Sequence, residues 1–203
     1  MSKIAFIYPG QGAQKAGMGR DFYENSPLAA KLYDQASQAL GLDMKALCFE
    51  ENEKLDLTEY TQAALVTTCL AMTAVLKEQG ITPDITAGLS LGEYAAIAAA
   101  GEELAEELEK VTLHPLAVPY VTNVTAGTVE DIGKTRELLA EQVSSPVRWM
   151  QSMEAMIADG VDTFVEIGPG KTLAGFLKKI SRDVTVYNVG TWEDVEKVKG
   201  ALC

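Results

Sequence analysis

A chain of 203 residues, 47% apolar and 23% charged, has the make-up of one soluble globular domain large enough to bury a sizeable core. Its formal net charge of −12 argues against nucleic acid, which rewards clustered Lys and Arg, though a local basic patch still suits an acidic partner. The uncharged helical stretch Thr61 to Leu76 is too short to cross a membrane, and the N-terminal apolar run is too short for a signal peptide.

Three cysteines, Cys48, Cys69 and Cys203, share no CxxC spacing. The first two lie in apolar stretches and read as small buried hydrophobes, which suits a reducing cytoplasm. No His/Cys cluster has metal-ligand spacing, so no metal is expected.

The predicted elements alternate between strand and helix. Ile4 to Tyr8 is a continuous apolar run closed by Pro9-Gly10, the pattern of a strand buried on both faces. Ser26-Pro27 caps a helix running to Leu40, with Gly41 just past its end. A second helix covers about Tyr60 to Gln79. Ile85 to Leu89 reads as a strand and Leu91 to Ala100 as a helix of small residues. Glu102 to Val111 is helical in pattern, and Val118 to Val124 reads as a strand. Helices are expected at about Lys134–Val143 and Trp149–Ala158. Thr163 to Ile167 reads as a strand leading through Gly168-Pro169-Gly170 into a helix ending at Ile180. Val184 to Val189 is a last strand before a polar C-terminal helix. This alternation predicts an α/β fold, a mostly parallel sheet with helices on both faces.

Gly88-Leu89-Ser90-Leu91-Gly92 is a GxSxG sequence between a predicted strand and a predicted helix, the context of a nucleophile elbow. A tight turn there needs glycine at the flanks and pushes Ser90 outward. The N–H of Leu91 then lies at a helix N-terminus, suited to an oxyanion. Pro9-Gly10-Gln11-Gly12-Ala13-Gln14 is not a dinucleotide fingerprint, because position 15 is lysine. Its loop is placed to bring the Gln11 N–H to the mouth of the sheet. Gly170-Lys171-Thr172 fails as a P-loop, because position 165 is valine where glycine is needed.

Taken together, Gly10–Gln14, Gly88–Tyr94 and Glu166–Gly170, with Gln142–Trp149 between the last two, resemble the malonyl-CoA:acyl-carrier-protein transacylases of fatty-acid synthesis. The resemblance spans essentially the whole chain. It implies an α/β-hydrolase-like acyltransferase core in which Ser90 takes malonyl from coenzyme A and passes it to the phosphopantetheine thiol of acyl carrier protein. By position, the Gln11 and Leu91 N–H groups form the oxyanion hole, and Gln142 matches the residue whose backbone carbonyl orients the catalytic histidine. No cofactor is implied; malonyl-CoA is a substrate.

The chain departs from the family pattern twice. Leu89 stands where many members carry histidine inside the elbow. More severely, Ala98 to Gly101 runs straight into Glu102, so residues 1–203 read as one acyltransferase core without the family's ferredoxin-like insertion, missing at about 101/102. That insertion carries the catalytic histidine and the arginine that holds the malonyl carboxylate. The single histidine, His114, sits in a connector, and none of Arg20, Arg136, Arg148 and Arg182 stands at the missing arginine's position. Activity is therefore expected to be strongly impaired. A non-catalytic core that binds coenzyme A thioesters or carrier protein is a second reading. A serine hydrolase is a third, and it needs an acid and a histidine after Ser90. Lys171, Lys178, Lys179 and Arg182 form the densest basic run, a docking patch for carrier protein or cations complementing a helix dipole.

Overall fold

A computed structural model describes residues 2–101, 115–142 and 144–203. β1 (Ile4–Tyr8) opens the chain and is followed by three helices, α1 (Arg20–Asn25), α2 (Pro27–Leu40) and α3 (Met44–Phe49). Ser26 caps α2 by accepting the Ala29 N–H at 3.2 Å, and Gly41, with φ 64°, ends it in the left-handed region. The sequence pattern gave no sign of α1 and α3, because six residues are too few to show helical periodicity. Their signals are local: Asp43 caps α3 by accepting from Lys45 and Ala46 at 3.1 and 3.0 Å.

α4 (Thr58–Glu78) is the central helix, buried along most of its length. Its fully buried threonines are tolerated in the core because their hydroxyls find partners, Thr61 donating to the Leu55 carbonyl at 2.6 Å. Thr73 donates to the Cys69 carbonyl at 2.8 Å and meets the Tyr8 hydroxyl at 3.0 Å, and Thr68 meets the Tyr33 hydroxyl at 2.8 Å. β2 (Ile85–Gly88) and α5 (Gly92–Ala100) follow. The predicted helix over Glu102–Val111 lies outside the described residues, as does His114.

The strand expected over Val118–Val124 is only β3 (Tyr120–Val121). Its upstream end is held elsewhere, since Ala117 and Val118 donate to the Ala100 carbonyl at the end of α5. Its downstream end turns at once: Ala126 donates to Thr122, adopts φ 56°, and sends β4 (Thr128–Val129) back antiparallel. α6 (Thr135–Gln142), α7 (Trp149–Ala158), β5 (Thr163–Ile167), α8 (Thr172–Ile180), β6 (Thr185–Val189) and α9 (Trp192–Leu202) complete the order within a residue or two of the pattern.

Among the described residues six strands pair in the order β4-β3-β2-β1-β5-β6, all parallel except the β3–β4 edge. Alternation along β1 serves two cores. Phe6 and Tyr8 pack with α2 and α4, while Ala5 and Ile7 pack with Trp149, Met153, Leu173 and Leu177 of α7 and α8. The expected layering, helices on both faces of a mostly parallel sheet, is the one observed. After β4 the chain crosses to the far side of β1, so strand order reverses between β1 and β5. In such sheets the crevice beyond the carboxyl ends of the strands is where sites form.

Candidate active site

Ser90 sits two residues after β2 and two before α5, at the carboxyl edge of the sheet, and is exposed. Its backbone has φ 52°, a left-handed conformation rare for a residue with a side chain. Steric demand explains the glycines around it. A Cβ on Gly88 would stand 1.9 Å from the Gly92 carbonyl carbon, and one on Gly92 would stand 2.2 Å from the Tyr8 oxygen. The turn itself is closed by Gly92 N–H donating to Leu89 at 2.9 Å and Glu93 N–H donating to Ser90 at 3.0 Å.

The loop after β1 packs directly on this turn. Leu89 donates to Tyr8 at 2.9 Å, and Gly10 approaches so closely that a Cβ there would lie 2.6 Å from the Leu89 oxygen. Gln11, next in sequence, is exposed beside it, its side chain donating to the Thr58 hydroxyl at 3.3 Å. Among the described residues, neither the Gln11 nor the Leu91 N–H has a hydrogen-bond partner. The structure therefore brings the Gln11 loop and the Ser90–Leu91 turn together, with both N–H groups unengaged.

Two residues that sequence reasoning missed lie under the elbow. Glu93, in the first turn of α5, is fully buried, and its Oε2 accepts the Asn123 N–H at 2.9 Å and the Gln142 side-chain amide at 2.8 Å. The Asn123 side-chain amide also donates to Oε2, and to the Gly88 carbonyl at 2.7 Å. Burial pushes the Glu93 carboxyl above its usual range, and the Asn123 hydrogen bonds oppose that rise. Its other oxygen makes no well-formed hydrogen bond, and Thr122 steadies the charge through a looser contact. The signal was present as a single carboxylate in an otherwise apolar helix. Asn123, hidden inside an over-long predicted strand, gave none.

Gln142 does reach the elbow, by its side chain. Its Nε2 donates to the Ser90 carbonyl at 3.1 Å, while its own backbone carbonyl accepts from Ser145 at 3.3 Å. The E-x-G-P-G motif is a brace. Glu166 is fully buried and accepts from Leu173 and Ala174 at the start of α8, at 3.1 and 2.8 Å, and from the Asn188 side chain at 2.7 Å. This seats Gly168 against Pro9, where a Cβ would lie 2.7 Å from the proline ring.

The basic run is divided by the fold. β6 is parallel to β5 and begins opposite its first residue, Thr163, so α8 returns to the amino edge of the sheet. Lys171 stays at the carboxyl edge with the elbow. Lys178, Lys179 and Arg182 lie toward the opposite end, roughly 10 Å further along the helix, where Lys178, Ser181, Arg182, Val184 and Val186 line an open cleft. Arg20 donates to the Phe49 carbonyl at 2.6 Å and Arg148 to the Thr125 carbonyl at 3.5 Å. No group of His, Cys, Asp and Glu among the described residues has the arrangement of a metal site, and no helix there is long and apolar enough to cross a membrane.

Comparison with known proteins agrees with this geometry. The acyl transferase domain family model matches residues 5–107. The malonyl CoA-acyl carrier protein transacylase of Bacillus subtilis is 32% identical over an alignment that covers 97% of this chain and 96% of the relative. That alignment extends over 304 positions, whereas this chain has 203 residues, so a substantial stretch of the relative has no counterpart here. The crystal structure of MCAT from Streptococcus pneumoniae superposes with a TM-score of 0.91 at 27% identity, covering 98% of this chain and 100% of that one. That of the malonyl CoA-acyl carrier protein transacylase from Clostridium perfringens superposes at 0.87 with 28% identity, covering 99% and 97%. With a left-handed serine between obligatory glycines, a fold shared with these enzymes and a family model matching half its length, the chain belongs to the acyl transferase domain family.

Proposed function

We infer that this chain is an acyltransferase of the [acyl-carrier-protein] S-malonyltransferase type, working in cytoplasmic fatty-acid synthesis through an acyl-enzyme on Ser90. The observation that carries the reading is the elbow. Ser90 stands exposed in a left-handed turn at the carboxyl edge, beside two unengaged N–H groups. In the acylation step, Ser90 Oγ attacks the thioester carbonyl of malonyl-CoA. The Gln11 and Leu91 N–H groups receive the oxyanion, the C–S bond breaks, and coenzyme A leaves as the thiol. The phosphopantetheine thiol of acyl carrier protein then takes the malonyl group in the reverse sense. No cofactor enters.

Residues 1–203 form a single acyltransferase core in this reading, with the family's insertion missing at about 101/102. The mismatch between 304 aligned positions and 203 residues supports that reading. Ser90 then lacks the family's histidine to take its proton, water does so instead, and turnover is low. Carrier protein docks along α8, with Lys171 toward Ser90 and Lys178, Lys179 and Arg182 at the far end. Their exposure against a net charge of −12 supports this assignment.

Incubation with malonyl-CoA followed by peptide mass mapping tests the assignment. Slow malonylation of Ser90, absent in Ser90→Ala, is expected. A chain that binds malonyl-CoA yet never carries the acyl group on Ser90 is instead the non-catalytic binding core.

A further inference from the structure

Glu93 presents a physical problem whose answer points at Ser90. It is the only charged residue of α5 and it is fully buried, a costly position for a carboxylate. Its place in the first turn gains something from the helix dipole, yet the carboxyl is still pushed upward by burial. All three donors that converge on Oε2 come from Asn123 and Gln142.

Those same two side chains hold the backbone of Ser90 on both sides. Asn123 Oδ1 accepts the Ser90 N–H at 3.0 Å, and Gln142 Nε2 donates to the Ser90 carbonyl at 3.1 Å. Asn123 is fixed further by its donation to the Gly88 carbonyl. A left-handed residue with a side chain is strained and persists only where its surroundings over-determine it. Here the surroundings that do so converge on one carboxylate oxygen.

Resting on the acyl-enzyme reading above, we propose that Glu93 is a positioning residue for the nucleophile: as a shared acceptor it aligns Asn123 and Gln142, which clamp Ser90 so that Oγ faces the Gln11 and Leu91 N–H groups. The acceptor geometry matters, and the charge does not. The conservative amide should therefore substitute for it, with its oxygen in place of Oε2 and its NH₂ toward Thr122.

The test follows Ser90 malonylation by malonyl-CoA in single-turnover experiments, read as a maximal rate and a half-saturating concentration. The proteins compared are the parent chain, Glu93→Gln, Glu93→Leu and Gln142→Ala. Glu93→Leu and Gln142→Ala should lose roughly ten- to hundredfold in maximal rate, the scale of a misplaced reacting group, with little change in half-saturation. Glu93→Gln should recover the rate to within about threefold. Gln142 is half-buried at the end of α6, so its alanine variant decides the matter even if Glu93→Leu does not fold. Parent-like rates in Gln142→Ala overturn the inference, as does a Glu93→Gln rate as low as that of Glu93→Leu, because charge rather than geometry then sets the rate. A parent chain that is never acylated at Ser90 overturns the functional reading, and this inference with it.

Discussion

Gly88 and Gly92 face each other across the elbow so closely that a methyl group on Gly88 would overlap the Gly92 carbonyl, 1.9 Å away. Gly92 in turn lies against the Tyr8 carbonyl at the end of β1. These are contacts between backbones, which no rotamer change relieves. Gly92→Ala should therefore cost about 1–3 kcal/mol, as overpacked cores do, and lower the urea midpoint. Gly200, in α9 with open space where its Cβ would go, sets the contrast. Gly200→Ala should raise the midpoint by about 0.5–1 kcal/mol of stability, the helix-propensity gain of alanine. Urea titrations of the two variants check both signs.

What the sequence made legible was whatever one short segment states by itself. Ile4–Tyr8, Trp149–Ala158 and Thr163–Ile167 carry their periods openly, and the strand–glycine–helix context announced Ser90 without any contact information. The clamp on Ser90 was not legible, because it joins residues 33 and 52 positions apart. No local pattern marks an asparagine that will face an elbow. How the basic run is spread over the surface was hidden for a related reason. Charges close in sequence on a helix are spread along its axis, and the axis direction is set by the parallel pairing of β5 with β6.

The cationic end of α8 makes a prediction about docking. Lys178 and Lys179 are exposed, Lys178 lines an open cleft, and neither makes a salt bridge among the described residues. Exposed charge acts through a screened field. The double variant Lys178→Glu/Lys179→Glu should weaken carrier-protein binding by about tenfold at low ionic strength, with the difference fading as salt rises toward 1 M. Calorimetry or fluorescence anisotropy measures it, and unchanged binding at low salt removes this end of α8 from the docking surface.

Glu93 also makes stability depend on pH in a direction that can be worked out. Burial raises its pKa in the folded protein, so the folded state holds the proton more tightly than the unfolded state does. Stability is then lost as pH rises from the ordinary carboxylate value, about 4.3, up through the raised folded value. Glu93→Gln cannot titrate and keeps an acceptor for Asn123 and Gln142. Its melting temperature should exceed that of the parent at neutral pH, and the advantage should vanish near pH 4. Calorimetric melting across that range tests the sign, and a variant less stable than the parent at pH 7 contradicts it.

Catalysis is where the missing segment should tell most. Serine is a weak nucleophile without a base to take its proton, and the chain's only histidine, His114, lies outside the described residues. In the proposed mechanism the Gln11 and Leu91 N–H groups still receive the oxyanion, and such remnants of a serine catalytic unit typically retain about 10³–10⁴-fold acceleration over water. None of the four arginines stands at the position of the family's carboxylate-binding arginine, so malonyl and acetyl thioesters should react at similar rates. Turnover of malonyl-CoA with carrier protein should fall several orders of magnitude below that of a family member with its insertion intact. Ser90→Ala should abolish the residual rate, whereas His114→Ala should leave it unchanged. Steady-state assays of the three proteins decide between these outcomes. A parent rate near that of an intact family member, lost in His114→Ala, would make His114 the general base and require the connector that carries it to reach Ser90.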